Sequence, residues 1–352
     1  MIDTLMKLPT VWEALKESNK PVVLYGMGDG ADKVLAAFER YGIKASGVMA
    51  SDDFVRGQQF HGFTVKKCSD FEREYGDFTI ALCFASQLPE VMAHIREVAQ
   101  RHKTLVPSVP VFGGVLFDRE FLVSNQNEIG QAYALMADEQ SRRVFEGVLR
   151  FYLTGELELL DGITTGKDEA FGNILRLDGN ELYVDLGAYN GDTIDEFLRY
   201  CGGSYRKIVA LEPNAKNYNK LKDHCADMPR TELWQLGAYS HNTVLTFNNK
   251  AGRNSAISSQ GVQTQVAALD TVLCGAAATY VKADVEGADR EMLLGAKNTL
   301  KQFKPKLNCS AYHRFEDLFR LPLLISQLNP DYRIYLRHHP YIPAWDTNLY
   351  CV

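Results

Sequence analysis

Two strand–glycine turn–helix units, one in each half of the chain, constrain its fold more than any other feature. The first reads VVLYGMGDG from Val22 to Gly30, and the second reads LYVDLGAYNGD from Leu182 to Asp192. An apolar strand that ends in glycines and continues into an amphipathic helix is typical of parallel α/β sheets. Because domains average roughly 150 residues, two such units in 352 residues predict two α/β domains.

The composition excludes several classes of protein. Hydrophobic residues make up 46% and charged residues 23% of the chain, as in ordinary globular proteins. A net charge of -6 and a pI near 5.8 argue against a nucleic-acid partner, since phosphate binding needs clustered Lys and Arg. Neither a membrane span nor a signal peptide is expected from the apolar runs. The seven cysteines are scattered and never form a C-x-x-C pair, which predicts reduced thiols, no zinc cluster and a cytoplasmic location.

The first glycine turn fits a nucleotide site loosely. Gly26, Gly28 and Ala31 match G-x-G-x-x-[GA], and Asp52 or Asp53 follows at the end of the next strand. A site here would use Gly26, Gly28, Gly30 and Asp52. The alternative is that these glycines serve the packing of helix on strand.

Further along, a strand (Phe78 to Ser86), a helix to about His102 and the short strand TLVPSVPVF follow. This segment resembles the Rossmann-like N-terminal domain of sugar O-acyltransferases, which implies a nucleotide-sugar pocket. We expect this domain to occupy residues 1–118. Residues 119–165 then read as a helical connector, in which one helix ends and a newly capped one begins near Asp138 to Ser141.

The second glycine turn suits a nucleoside that carries an amino acid. A helix from Asp192 to about Tyr200 directs its N-terminal amides at the turn, and Glu212 ends the next strand, where it could accept hydrogen bonds from ribose hydroxyls. Ala188 and Tyr189 place bulk where a dinucleotide site needs close approach to a diphosphate. The turn therefore favours S-adenosylmethionine (SAM), with a purely structural glycine turn as the alternative.

The second half resembles the FkbM family of SAM-dependent methyltransferases. The resemblance rests on ordered blocks that include VDLGAYNGDT, ALEPN, QLGAYS, VAALDTVL, YVKADVEGADREMLLGA and PKLNCSAYHRFEDLFRLP. It implies that residues 166–352 form a class I methyltransferase domain, with a seven-stranded, mostly parallel sheet whose last strand is antiparallel. The implied methyl acceptor is a hydroxyl of a sugar or glycan precursor.

The resemblance also implies the residues that contact SAM. They are Asp185, Gly187, Ala188, Tyr189, Gly191, Asp192, Thr193, Glu212, Pro213, Asn214 and Ala238. Ala238 stands at the expected end of the third strand, where many methyltransferases place an acid, so adenine recognition through backbone groups is expected.

Catalytic residues are expected around VKADVEG and SAYHRF. Lys282, Asp284 and Glu286 alternate along a predicted strand, so all three would face one side near its carboxyl end. His313 follows the next strand and is a candidate base or substrate-binding group. The alternative is an internal Lys282 salt bridge, with Glu286 capping the following helix.

Three further predictions concern the end of the chain and a polar insertion. His338 and His339 lie on a terminal hairpin with one of them facing outward, and no metal site is expected. The segment from Leu245 to Leu269 reads as a loop over the pocket in which Ser255 touches substrate, or else as a solvated hairpin tip.

Two rival functions remain at this point. An NAD(P)-dependent oxidoreductase would use the first glycine turn, but residues 60–125 lack a Tyr-x-x-x-Lys pair. A non-catalytic protein could bind SAM or a nucleotide-sugar without turnover. The sequence leaves homo-oligomer formation open.

Overall fold

The computed structural model describes residues 1–247 and 261–352. The first part of the chain forms a six-stranded sheet with helices on it. Its elements, in chain order, are α1 (Ile2–Leu5), α2 (Val11–Lys16), β1 (Val22–Tyr25), α3 (Asp29–Tyr41), β2 (Ala45–Met49), a 3₁₀ turn (Asp52–Phe54), β3 (Gln59–Phe60), β4 (Phe63–Lys66), α4 (Cys68–Tyr75), β5 (Thr79–Leu82), α5 (Pro89–Arg101) and β6 (Thr104–Leu105).

The strand order of this first sheet is β3-β4-β2-β1-β5-β6. All neighbouring pairs are parallel except β3 with β4. Strands β1 and β5 are buried along their whole length, which explains their continuous apolar sequences. The order of the parallel strands places the glycine turn after β1 at the middle of the sheet, where the chain changes direction.

A helical segment joins the two large sheets. It consists of α6 (Arg119–Ser124), α7 (Gln126–Ala134), α8 (Glu139–Thr154) and α9 (Glu158–Asp161). The re-capping predicted near Asp138 is confirmed, because the Asp138 carboxylate accepts a hydrogen bond of 2.7 Å from the Ser141 amide. The same carboxylate binds the buried Arg337 at 2.7 Å, which fastens α8 to the second sheet.

The second sheet contains the last part of the chain. Its elements are α10 (Lys167–Glu169), a π-helical turn (Ala170–Leu175), β7 (Leu182–Leu186), α11 (Asp192–Tyr200), β8 (Lys207–Leu211), α12 (Ala215–His224), β9 (Thr231–Trp234), β10 (Gly237–Ala238), β11 (Thr243–Phe247), β12 (Val262–Ala267), α13 (Leu269–Leu273), β13 (Tyr280–Ala283), α14 (Asp289–Gly295), α15 (Lys297–Phe303), β14 (Lys306–Ser310), α16 (Asp317–Leu328), β15 (Ile334–His338) and β16 (Thr347–Cys351).

Seven of these strands form one sheet in the order β15-β16-β14-β13-β7-β8-β9. Strand β16 is antiparallel to both neighbours, and the pairs among β7, β8, β9, β13 and β14 are parallel. This arrangement confirms the predicted methyltransferase-like sheet with its antiparallel last strand. Strands β10, β12 and β11 form a separate small sheet.

The two large sheets share one hydrophobic core and touch near the carboxyl edge of the second sheet. Ser86 pairs through its backbone with Ile342, and the Phe112 amide donates a 3.2 Å hydrogen bond to the His313 carbonyl. The N-terminal half therefore supplies part of the wall around that edge. Within residues 1–247 and 261–352, every helix is too short or too polar to cross a membrane.

Candidate active site

The turn after β7 brings three strand ends together. Gly187 has φ of +84°, and a Cβ atom there would lie 2.0 Å from the Asp284 carbonyl oxygen at the end of β13. The amides of Gly187 and Ala188 both donate to the Leu211 carbonyl at the end of β8, at 3.0 Å each. A side chain at position 187 would force β7 and β13 apart, so glycine is required here.

Glu212 is held at the end of β8 by two backbone amides. Its carboxylate accepts a 3.0 Å hydrogen bond from Tyr189 and a 2.8 Å hydrogen bond from Asn214, one on each oxygen. The residue is buried, and this burial raises its pKa while the two amides oppose the shift. Each oxygen keeps a lone pair, which is what two neighbouring hydroxyls of a ribose require.

Asp185 and Lys282 form a buried ion pair beneath the turn. The Lys282 ammonium lies 3.4 Å from the Asp185 carboxylate and donates a 3.2 Å hydrogen bond to the Gly187 carbonyl, while the Thr193 hydroxyl donates to Asp185 at 2.5 Å. The internal Lys282 salt bridge given as the alternative is therefore present, and its partner is Asp185, the direct cross-strand neighbour of Lys282. Lys282 thus supports the turn.

Asp284, His313 and Asp289 form a network at the ends of β13 and β14. The buried His313 ring lies 3.0 Å from Asp284 through Nε2 and 2.8 Å from Asp289 through Nδ1, and Glu286 is 3.8 Å from Nε2. The predicted strand through Glu286 is wrong, since β13 ends at Ala283 and Glu286 lies in a turn with φ of +52°. The structure still brings the predicted Asp284, Glu286 and His313 together.

The charges of this network reinforce one another. Burial would lower the pKa of His313, but Asp289 and Asp284 raise it well above the usual value. Burial would likewise raise the pKa of Asp284, but the hydrogen bond and charge of His313 lower it below the usual range. At neutral pH the network therefore holds an imidazolium beside an ionised Asp284 carboxylate, whose side chain remains one-third exposed (33%).

An aromatic wall borders Asp284. The Tyr312 hydroxyl donates a 3.3 Å hydrogen bond to the Asp284 carboxylate, and the Tyr312 ring lies 6.4 Å from that of Trp345. Tyr341 packs on Trp345 at 5.8 Å. From the other side, the Phe112 ring meets His313 edge-on at 5.8 Å. Sequence reasoning missed these residues because they come from three distant segments.

Asp289 was also missed, although its sequence context carried a signal. It is fully buried at the first position of α14, inside the block DVEGADRE. A third acid in such a short segment, at the start of a helix, could have suggested a partner for a nearby cation.

The remaining predicted cofactor residues surround the turn, with one exception. Thr193 binds Asp185, and the side chain of Asn214 caps α12 after Pro213. Gly191 has φ of +97° and precedes α11. The exception is Ala238, which we predicted at the end of the strand that follows β8. That strand is β9 and ends at Trp234, whereas Ala238 lies in β10 of the small sheet.

The first two amides of α11 already have partners. The Asp192 amide donates to the Asn190 side chain at 3.3 Å, and the Thr193 amide donates to the Asp192 side chain at 2.9 Å. A ligand carboxylate at this helix end would have to displace these side chains. The acidic side chain of Asp192 is better suited to the ammonium of an amino acid.

The first glycine turn is built differently. A Cβ at Gly30 would lie 2.2 Å from the Cys83 carbonyl, and one at Gly26 would lie 2.9 Å from the Phe84 ring, whereas Gly28 faces open space. Asp52 is exposed and pairs with Lys67 at 3.1 Å. Two of the three glycines thus serve helix–strand packing, and the acid at the strand end is not preorganised.

The terminal hairpin differs from the prediction. His338 and His339 are both fully buried, so the expectation that one faces outward is wrong. Burial lowers the pKa of His338 to about 4. His339 bonds the Thr165 carbonyl at 2.9 Å and the Tyr350 hydroxyl at 2.7 Å. Ser255 lies outside the described residues.

The comparison with known families agrees with this geometry. Residues 185–343 match the model of the methyltransferase FkbM domain, from the Asp185 strand to the terminal hairpin. This part of the chain is an FkbM methyltransferase domain. The matched segment supports methyltransferase activity and contains Glu212, Asp284 and His313.

Solved structures agree at the level of the fold. An FkbM methyltransferase from Methylobacillus flagellatus KT matches with a TM-score of 0.75 at 21% identity, over 100% of this chain and 97% of that chain. Its match therefore extends over both halves of the present chain.

Two other solved structures are more distant. Aeropyrum pernix fibrillarin with natively bound SAM gives a TM-score of 0.34 at 10% identity, over 51% of this chain and 68% of that one. An rRNA methylase from Streptococcus thermophilus gives a TM-score of 0.33 at 14% identity, over 53% of this chain and 92% of that one. TM-scores this low support no inference about the FkbM domain. No curated protein matches the chain.

Proposed function

We propose that this protein transfers a methyl group from SAM to a hydroxyl of a sugar or glycan precursor. One observation carries the proposal: the preorganised Glu212 carboxylate and the Asp284–His313–Asp289 network flank the same glycine turn at the carboxyl edge of the sheet. A nucleoside held by Glu212 would extend along the turn toward Asp284.

The residues around the turn fit SAM. The lone pairs left on Glu212 suit the two ribose hydroxyls, because both oxygens are already oriented by amides at 3.0 and 2.8 Å. The absence of a side chain at Gly187 lets the end of β13 approach the turn, which brings Asp284 beside it. Asp192 provides a negative charge for the amino group of the cofactor. When bound, SAM supplies the electrophilic methyl group.

Asp284 is our proposed proton acceptor. A hydroxyl becomes strongly acidic as its oxygen gains the methyl carbon, so a carboxylate with a low pKa is a sufficient base for that proton. Its 33% exposure leaves it accessible to an acceptor from the pocket side. Such positioned bases contribute roughly 10²- to 10⁴-fold to the rate.

His313 is better explained as a positioning residue than as the base. Its ring is 1% exposed and lies between Asp284 and Asp289 at 3.0 and 2.8 Å, so each ring nitrogen is close to a carboxylate of the protein. The imidazolium orients Asp284 and balances its charge. Lys282 supports the turn from below in the same way.

The aromatic wall supports a sugar acceptor. Tyr312 and Trp345 are partly exposed beside Asp284, with ring planes 23° apart. The apolar C–H face of a pyranose packs on such rings, while its hydroxyls reach neighbouring carboxylates. Glu286, at the rim of the pocket, would accept a second hydroxyl.

We also propose a division of the chain into three parts. We assign residues 1–118 to an N-terminal unit, 119–165 to a helical connector and 166–352 to the catalytic unit. Phe112, from the N-terminal unit, lies against His313, which supports a role of that unit in shaping the acceptor pocket. A nucleotide-sugar at the first glycine turn remains a prediction.

The proposal is tested by methyl transfer from radiolabelled SAM to a panel of monosaccharides, nucleotide-sugars, amines and thiols. We expect transfer to a sugar hydroxyl, and a loss of 10²-fold or more in kcat for Asp284→Asn with SAM affinity within threefold. Glu291→Gln is the matched control and should keep full activity, because this acid is about as exposed (30%) as Asp284 and, among the described residues, pairs only with Arg290 on α14.

Two results would overturn this assignment. Transfer to amines or thiols but to no hydroxyl would exclude an O-methyltransferase. SAM binding with no transfer to any acceptor, and no effect of Asp284→Asn, would favour the non-catalytic alternative.

A further inference from the structure

Three side chains of types that can bind metals lie together on the helices of the N-terminal half, far in sequence from the turn after β7. Cys68 and Glu72 are one turn apart on α4, and His102 follows the end of α5. Their ligand atoms all lie within 4.8 Å of one another. Sulfur, carboxylate oxygen and imidazole nitrogen together are a donor set typical of zinc-class ions.

The spacing of these atoms is close to that of a tetrahedral site. Glu72 Oε1 lies 3.2 Å from His102 Nε2 and 3.9 Å from Cys68 Sγ. Zinc bonds of about 2.0 Å to nitrogen or oxygen and about 2.3 Å to sulfur would place tetrahedral ligand atoms about 3.3 to 3.6 Å apart. Side-chain shifts of a few tenths of an ångström would therefore complete the geometry.

His102 is held in the orientation that a metal ligand needs. The ring is 6% exposed and stacks on Phe78 at 4.1 Å between ring centroids. Its Nδ1 lies 3.3 Å from the Asp77 carboxylate, on the side opposite Glu72. A carboxylate behind a histidine fixes the tautomer that presents Nε2 to a metal.

A cavity borders the cluster. It has a volume of about 210 Å³ and is lined by Cys68, Glu72 and Arg101 together with the strand-end residues Tyr25, Ser51 and Asp52. Three protein ligands beside a polar cavity leave a fourth coordination position for water or another oxygen ligand. That pattern is typical of open zinc sites.

Arg101 is the competing partner of Glu72. Its guanidinium bonds Glu72 Oε1 at 2.5 Å, and its side chain is 45% exposed. A bound cation would replace this contact, and Arg101 can turn toward solvent. The same carboxylate therefore serves either an ion pair or a metal.

We propose that Cys68, Glu72 and His102 bind a zinc-class divalent cation whose fourth position opens into the adjacent cavity. The sequence predicted no zinc cluster because two ligands are spaced i, i+4 on one helix and the third follows the next helix, which no cysteine-pair pattern detects. This site is independent of the methyltransferase assignment.

The test is a titration of the full chain with Co²⁺ after treatment with EDTA, followed by absorbance. Cobalt bound to a thiolate gives a charge-transfer band, which oxygen and nitrogen ligands alone do not give. We expect a saturable band at one equivalent that Cys68→Ser abolishes. Cys274→Ser, which alters an exposed free cysteine, is the matched control and should keep the band.

Two further variants keep the test decisive if Cys68→Ser does not fold. Glu72→Gln and His102→Gln should each weaken Co²⁺ binding at least tenfold while SAM affinity stays unchanged. The proposal is overturned if the wild-type protein gives no band, if the band survives in Cys68→Ser, or if neither Glu72→Gln nor His102→Gln weakens binding.

Discussion

The two glycine turns begin alike and differ in what surrounds them. After β1, Gly30 packs against the Cys83 carbonyl, and the acid on the next strand, Asp52, is exposed and paired with Lys67. After β7, Glu212 on the next strand is buried and oriented by two backbone amides. The glycines shape both turns, but only the second turn, our proposed cofactor site, has a buried and oriented carboxylate on the next strand.

The difference extends beneath the turns. Asp185 and Lys282 form a buried pair under the second turn, with side chains that are 0% and 11% exposed. At the corresponding edge of the first sheet, the Asp52 and Lys67 side chains are 67% and 43% exposed. Two similar glycine turns therefore differ in the strength of the ion pair beside them, because burial shields only the second pair from solvent.

The largest contrast is expected from breaking these two ion pairs. Lys282→Met leaves the Asp185 carboxylate buried without its cation, and should lower the free energy of unfolding by about 3 to 5 kcal/mol. Lys67→Met should change it by less than about 1 kcal/mol. Urea denaturation of both variants measures the difference.

A double variant sharpens this result. Asp185→Asn combined with Lys282→Met removes the uncompensated charge and should recover part of the loss. Equal destabilisation by Lys282→Met and Lys67→Met would contradict the difference between the turns.

The next contrast comes from the glycines themselves. Gly187→Ala places a Cβ 2.0 Å from the Asp284 carbonyl at a positive φ, and should cost about 2 to 3 kcal/mol and weaken SAM binding at least tenfold. Gly28 also has a positive φ but faces open space, so Gly28→Ala carries the backbone strain alone.

Thermal unfolding and SAM titration of the two alanine variants provide the measurement. We expect Gly28→Ala to bind SAM like the wild-type protein. If Gly28→Ala weakened SAM binding as strongly as Gly187→Ala, the first turn would belong to the same site.

The smallest contrast concerns pH. The pKa of His313 is raised in the folded protein because Asp289 and Asp284 outweigh its burial. Its contribution to stability is therefore fully present below about pH 6.5 and is lost as the pH rises through the folded pKa. His313→Gln should destabilise the protein by about 1.5 kcal/mol at pH 6, the scale of one charge-assisted hydrogen bond, and by less at alkaline pH.

His61→Gln is the matched control from the first sheet, where an exposed histidine lies 2.6 Å from Asp32. Denaturation should show only a small loss of stability for this variant, because both side chains are more than half exposed. A destabilisation by His313→Gln that does not change between pH 6 and alkaline pH would contradict a protonated His313 in the folded protein.

Local patterns predicted much of the fold. The strand Val22–Tyr25 and the helix Asp192–Tyr200 have the bounds that the sequence indicated, because apolar runs and glycines mark them. The seven-stranded sheet followed from the family resemblance. Glu212 and Asp284 lie at strand ends, as their positions after apolar runs predicted.

The predictions from sequence were wrong where contacts between distant segments determine the position or burial of a residue. Glu286 occupies a left-handed turn that alternation along a strand cannot predict, and His339 is buried because Thr165 and Tyr350 satisfy its ring. The contact of Phe112 with His313 joins residues 201 positions apart in sequence, so no local pattern contains it.

Calorimetric titration with SAM tests the central claim most directly. The wild-type protein should bind one SAM, Glu212→Ala should weaken binding at least tenfold, about 1.4 kcal/mol, and Asp52→Ala should leave it within twofold. If Asp52→Ala weakens SAM binding while Glu212→Ala does not, or if NADH binds in place of SAM, the second glycine turn is not the cofactor site.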